Sequence, residues 1–91
     1  MESNSRIESF VLLDRAMRLQ IAENGGNLSE PEECLVKAIT LDPNSIEALY
    51  EAAHFYEAVV PDAIKARKYA TACREKATQI LAEMDGILAS L

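Results

Sequence analysis

The residues best placed to do chemistry together are Glu47, Tyr50, His54 and Glu57. Their spacing of 3, 4 and 3 puts a phenol, an imidazole and two carboxylates on one face of a helix, with Glu51 close by. His54 is the only histidine, and Glu51 and Glu57 each lie three residues from it, so either carboxylate could form an acid/base pair with the imidazole. Acid/base catalysis also needs a reacting group, and the spacing places no serine, cysteine or lysine nucleophile with His54. The face therefore reads as a binding or solvated surface, and the chain as a non-enzyme.

Other patterns that could carry chemistry read as structure. Cys34 and Cys73 have neither a metal-ligand nor a redox spacing and fall on apolar helix faces, as small core residues do, so neither metal nor cofactor is expected. Asn24-Gly25-Gly26-Asn27 follows a helix and lacks the Lys-Ser/Thr of a phosphate loop, which makes it a helix stop. Asp42-x-Asn44 lacks the remainder of a calcium loop. The net charge of -6 disfavours nucleic acid or an anionic membrane as the partner. Residues 1–62 hold twelve acids and four bases, whereas residues 63–91 hold three acids and five bases. Those five are Lys65, Arg67, Lys68, Arg74 and Lys76, and the one aromatic among them, Tyr69, is placed inward by its helical stripe. The basic stretch is a solvated face, or it pairs with the acidic face of a second copy. Residues 1–6 are polar and no run of 18 apolar residues occurs, so a cytoplasmic, reduced protein without a membrane span is expected.

Four helices must position these residues. Ninety-one residues, 49% of them apolar, with three glycines and three prolines, describe one small all-α domain over 1–91. The only β-branched apolar pair, Val59-Val60, runs at once into Pro61. The first helix, about 5–23, carries one stripe through Ile7, Phe10, Leu13, Met17 and Ile21 and another through Leu12, Ala16 and Leu19. A helix apolar on two sides needs two neighbours, within its own chain or from a second protomer. The second helix, about 31–41, is introduced by Ser29 with Glu32 as a capping box, buries Leu35, Val36, Ala38, Ile39 and Leu41, and stops before Asp42-Pro43. Asn44 or Ser45 caps the third, about 45–59, whose inner face is Ile46, Leu49, Ala52, Ala53 and Tyr56, with Phe55 flanking. Pro61-Asp62 separates it from the fourth, about 62–89, with Gly86 able to end that helix near Asp85. Along the fourth, Ala66, Ala70, Cys73, Ala77, Ile80, Met84, Ile87 and Leu91 alternate 4 and 3 apart, a heptad seam of small residues followed by large ones. Leu81 and Leu88 reinforce its large half, which overshoots the neighbouring helices and needs a further surface.

From residue 31 to about residue 78 the chain resembles tetratricopeptide-repeat (TPR) proteins, whose unit of about 34 residues pairs two helices with Leu, small and aromatic positions and a closing proline. The matching residues are Leu35, Ala38 and Pro43 at the end of one unit, and Leu49-x-x-Ala52-Ala53-x-x-Tyr56 followed by Ala66-x-x-x-Ala70 and Cys73 in the next. The match needs one inserted residue in the turn before the fourth helix. The closing proline of that second unit, due near Thr78, is missing, and the first helix fits no register. An unrelated four-helix bundle is the alternative architecture. The resemblance implies antiparallel helical hairpins in about two units, with the long C-terminal helix added. It implies a non-catalytic adaptor or chaperone that binds a peptide or helix of a partner, in a groove lined by Glu47, Tyr50, His54 and Glu57. That residue set suits a basic or amide-rich ligand and does not resemble the Lys/Asn carboxylate clamp of chaperone-binding members. Because stacked repeats usually need at least about three units for stability, the resemblance also implies a homodimer or docking on a larger complex through Ile80, Met84, Ile87 and Leu91. A last helix folded back along the first is the monomeric alternative.

Overall fold

The computed structural model describes residues 2–21 and 28–91. They form four helices: α1 (Glu2–Ile21), α2 (Ser29–Leu41), α3 (Ile46–His54) and α4 (Ala63–Ser90), with no strand among the described residues. The glycine pair at 25–26 and its asparagines lie outside the described residues.

The helices pair antiparallel, α1 with α2 and α3 with α4. Ser9 meets Ala38 while Arg15, further along α1, meets Glu30 at the start of α2. In the second pair Cys73 reaches Ile46, and Tyr69 stacks on Tyr56 at the other end of α3. The two pairs share one core, with Leu13 and Ala16 from α1, Cys34, Leu35 and Ala38 from α2, Ala48, Leu49 and Ala52 from α3, then Phe55, Tyr56 and Tyr69. Small residues recur where helices cross, because a side chain no larger than a methyl lets two backbones approach.

The α1–α2 crossing is closed by a polar contact. Ser9 is almost fully buried, and its hydroxyl donates to the Ala38 carbonyl at 2.6 Å. That carbonyl also accepts the Asp42 N–H, so it keeps a partner if Ser9 is lost. Ser9→Ala is therefore expected to cost about 1 kcal/mol and no more, read as a lower urea midpoint at unchanged slope.

Helix ends follow local chemistry. Leu28 stands at the cap position of α2 and its carbonyl accepts the Glu32 N–H, so the helix begins two residues before the expected start. The Glu32 carboxylate accepts the Tyr56 hydroxyl at 2.8 Å. Ser45 caps α3 by accepting from the Ala48 N–H, and Asp62 caps α4 by accepting from the Lys65 N–H.

The last turn before Pro61 is not α-helical. Phe55–Val59 widens into a π turn in which Val60 donates to the Phe55 carbonyl and Asp62 to the Tyr56 carbonyl. Proline has no N–H, so the Tyr56 carbonyl is served by the residue after it. The widened turn lets two adjacent side chains, Phe55 and Tyr56, both point inward, with rings edge-on at 5.2 Å.

α4 runs through Gly86 to Ser90 instead of stopping near Asp85. A Cβ at position 86 meets nothing within 4 Å. Gly86→Ala is expected to stabilise the last turns by up to about 1 kcal/mol, seen as slower amide exchange beyond residue 83.

Burial departs from the expected stripes in three places. On α1 it is Ser9, Leu13 and Ala16 that are buried, while Ile7, Phe10 and Val11 are 62%, 70% and 57% exposed and Met17 is partly open. The side chains of Leu19 and Ile21 lie outside the described set. On α2 Val36 faces outward, since Leu35 and Ala38 already occupy the angle that the core offers. On α4 Tyr69 is the one buried residue, Ala66, Cys73 and Ala77 are half-buried, and Ala70 is exposed. No described helix is long and apolar enough to cross a membrane.

Candidate functional site

The outward side of α3 lies opposite its buried stripe of Ala48, Leu49 and Ala52. Tyr50 and His54, four residues apart, meet there edge to face, with ring centroids 4.6 Å apart and planes inclined by 66°. Tyr50 remains 55% exposed, so the pair presents a phenol and an imidazole to solvent on a rigid helical base. The ring contact of His54 is with Tyr50, and among the described residues no carboxylate makes an ion pair with it. The acid/base pairing with Glu51 or Glu57 that the spacing allows is thus absent in this arrangement.

The two carboxylates lie to either side of the aromatic pair and face different surroundings. Glu47 sits in the first turn of α3, where the helix dipole favours an anion, and accepts from the Ser45 hydroxyl at 3.3 Å. It borders a concavity of about 440 Å³ against α1, whose wall includes Arg6, Ile7 and Phe10. Glu57 belongs to the π turn and borders a separate concavity of about 470 Å³ against the first turns of α4, together with Asp62 and Arg67. Of the four, the structure brings Tyr50 and His54 into contact and leaves Glu47 and Glu57 bordering separate concavities.

Beneath this face the aromatic core is tied to charge. Tyr56 stacks on Tyr69 at 5.8 Å, and Lys65 and Lys68 lie over the two rings at 5.2 and 5.3 Å. Two of the five clustered bases of α4 are therefore engaged with tyrosines, and Lys65 also stands 3.9 Å from Glu32. Burial, then the hydrogen bond and charge of Glu32, push the Tyr56 phenol well above its ordinary range. The cation–π contacts were legible only in part, since Tyr56 and Tyr69 read as inward but the lysines over their rings, Lys65 and Lys68, do not show in a pattern of spacing.

The seam residues are all open. Ile80, Met84, Ile87 and Leu91 are 44%, 45%, 51% and 96% exposed, with Leu81 and Leu88 exposed beside them. Cys34 is buried and Cys73 half-buried, both as thiols, and no group of histidine, cysteine and carboxylates that could hold a metal occurs among the described residues.

Compared with family models, with curated proteins and with solved structures, the chain finds no match in any of the three.

Proposed function

We propose that this chain is a non-catalytic protein–protein interaction module of TPR-like build, holding a peptide or helix of a partner against the outward face of α3. The observation that carries the reading is the exposed Tyr50–His54 pair, ordered on a helix whose opposite side is core. Aromatic rings held in one rotamer give contact area at small entropic cost, the property that makes tyrosine frequent at interface hot spots. Glu47 and Glu57 at the two ends suit a ligand with cationic or amide groups spaced along an extended or helical segment. The pairing of α1 with α2 and of α3 with α4 supports the TPR-like build.

The test is binding of fluorescent Lys/Arg-bearing peptides, with acidic peptides as the contrast. Tyr50→Ala with His54→Ala should weaken capture about tenfold or more while leaving thermal stability within about 0.5 kcal/mol of the parent, as for surface substitutions. Equal binding by parent and variant, or unfolding of the variant, would remove the basis for the reading.

A second reading has its own observation. The large residues of the α4 seam find no cover within the chain, which supports a structural subunit that assembles with itself or docks on a larger complex through Ile80, Met84, Ile87 and Leu91.

A further inference from the structure

The concavity between α1 and the start of α3 does not end at Glu47. A second one, of about 720 Å³, shares Arg6, Asp42, Ser45 and Glu47 with it and extends to Ile80 on α4. The two form one cleft, walled by Ile7 and Phe10 on the α1 side and by the first large residue of the α4 seam on the other. From Thr78 to Leu91 α4 continues as an arm in which every residue is exposed, Ile80 the least so of its large residues at 44%.

Building on the self-assembly reading of α4, we infer that the occupant of this cleft is the arm of a second copy of the same chain. In this arrangement a two-fold axis relates the protomers. Each arm lies between α1 and α4 of the other protomer, and α1, α4 and their equivalents make a four-helix bundle.

Three observations support a second copy as the occupant. The first is helix stability: helices in proteins draw most of their stability from packing an apolar face. The arm, which also contains Gly86, has no buried residue. The second is periodicity, because Ile80, Met84, Ile87 and Leu91 keep the 4-3-4 spacing that buries one seam against neighbouring helices. The third is area. Ile7, Phe10 and Val11 with the six large arm residues expose on the order of 1,000 Å² of apolar surface, against about 800 Å² per partner in a stable interface and about 300–600 Å² for the largest patch of a typical monomer. One reciprocal contact would cover both patches, because the cleft places the α1 residues near Ile80, the first large residue of the arm.

Sedimentation equilibrium on the full chain, with circular dichroism as the fold control, tests this. The parent should sediment at twice its 10.0 kDa. Met84→Glu on the arm and Phe10→Glu on α1 should each raise the dimer Kd about tenfold or more while helicity is kept. A parent that stays at the single-chain mass at ~100 µM, far above the Kd expected of an interface of this size, overturns the inference. Loss of the dimer in Met84→Glu with no change in Phe10→Glu also overturns it, because the arms would then pair only with each other. Should either variant lose its helicity, truncation decides: Met84→Ala and Phe10→Ala should each weaken the dimer with helicity kept, and a dimer unchanged by Phe10→Ala overturns the cleft assignment. The Tyr50→Ala, His54→Ala variant should keep the parent's mass, so failure of peptide capture and failure of pairing are read separately.

Discussion

Tyr56→Ala is expected to leave a large fraction of the chain unfolded at room temperature. The ring is almost fully buried, stacked on Tyr69, edge-on to Phe55 and covered by Lys65, and its hydroxyl ties α3 to Glu32 of α2. Truncating a buried aromatic residue costs about 3–5 kcal/mol, and a domain of this size has total stability of only about 5 kcal/mol or slightly more. Circular dichroism without denaturant should show the loss directly. Tyr56→Phe separates ring from hydroxyl, since it keeps the packing and loses the hydrogen bond, at a cost of about 1 kcal/mol near neutral pH.

The same pair of proteins carries a pH signature. The folded chain holds the Tyr56 phenol neutral above its ordinary value of 10.0, chiefly through burial. An unfolded tyrosine ionises near that value, so the folded state binds the proton more tightly. The resulting stabilisation is complete below pH 10 and is lost as pH rises above 10. Urea midpoints measured from neutral pH to beyond 10 should fall more steeply for the parent than for Tyr56→Phe. Identical slopes would mean that the phenol is not protected.

Leu35→Ala is the second large effect. α2 packs on α1 through one side and on α3 through another, and Leu35 is its large aliphatic residue with no exposed surface. The expected cost is about 3 kcal/mol, within the range for buried leucine truncation, which at this chain length lowers Tm by about 4–8 °C for each kcal/mol. Both helix pairs meet through α2, so tyrosine fluorescence and helicity should report one coincident transition. Separate transitions would show that the α1–α2 and α3–α4 pairs fold independently.

How far sequence reached is best judged at particular residues. The helix order, the turn at Asp42 to Ser45 and the inward set Leu49, Ala52 and Tyr56 were legible, because apolar spacing, proline and capping oxygens act locally. On α1 the inward place of Ser9 was missed. Spacing makes Ile7 and Phe10 as apolar as Leu13, and only the packing partner decides that Ser9, a polar residue with a carbonyl in reach, takes the inner position. The π turn was also hidden, since it follows from a missing donor at Pro61 combined with two rings competing for one core. At the candidate site, spacing brought Tyr50 and His54 together correctly. It also gathered Glu47 and Glu57 onto the same face, which the neighbouring α1 and α4 divide between separate concavities.

The central claim is that the outward face of α3 holds a partner segment. The most direct measurement is the titration of isotope-labelled chain with a Lys/Arg-bearing peptide, followed by amide and side-chain NMR shifts. Saturable shifts are expected at Tyr50, His54 and the flanking Glu47 and Glu57, abolished by Tyr50→Ala with His54→Ala. Shifts confined to the α4 arm, or none on α3 at saturation with peptides of either charge, would contradict it.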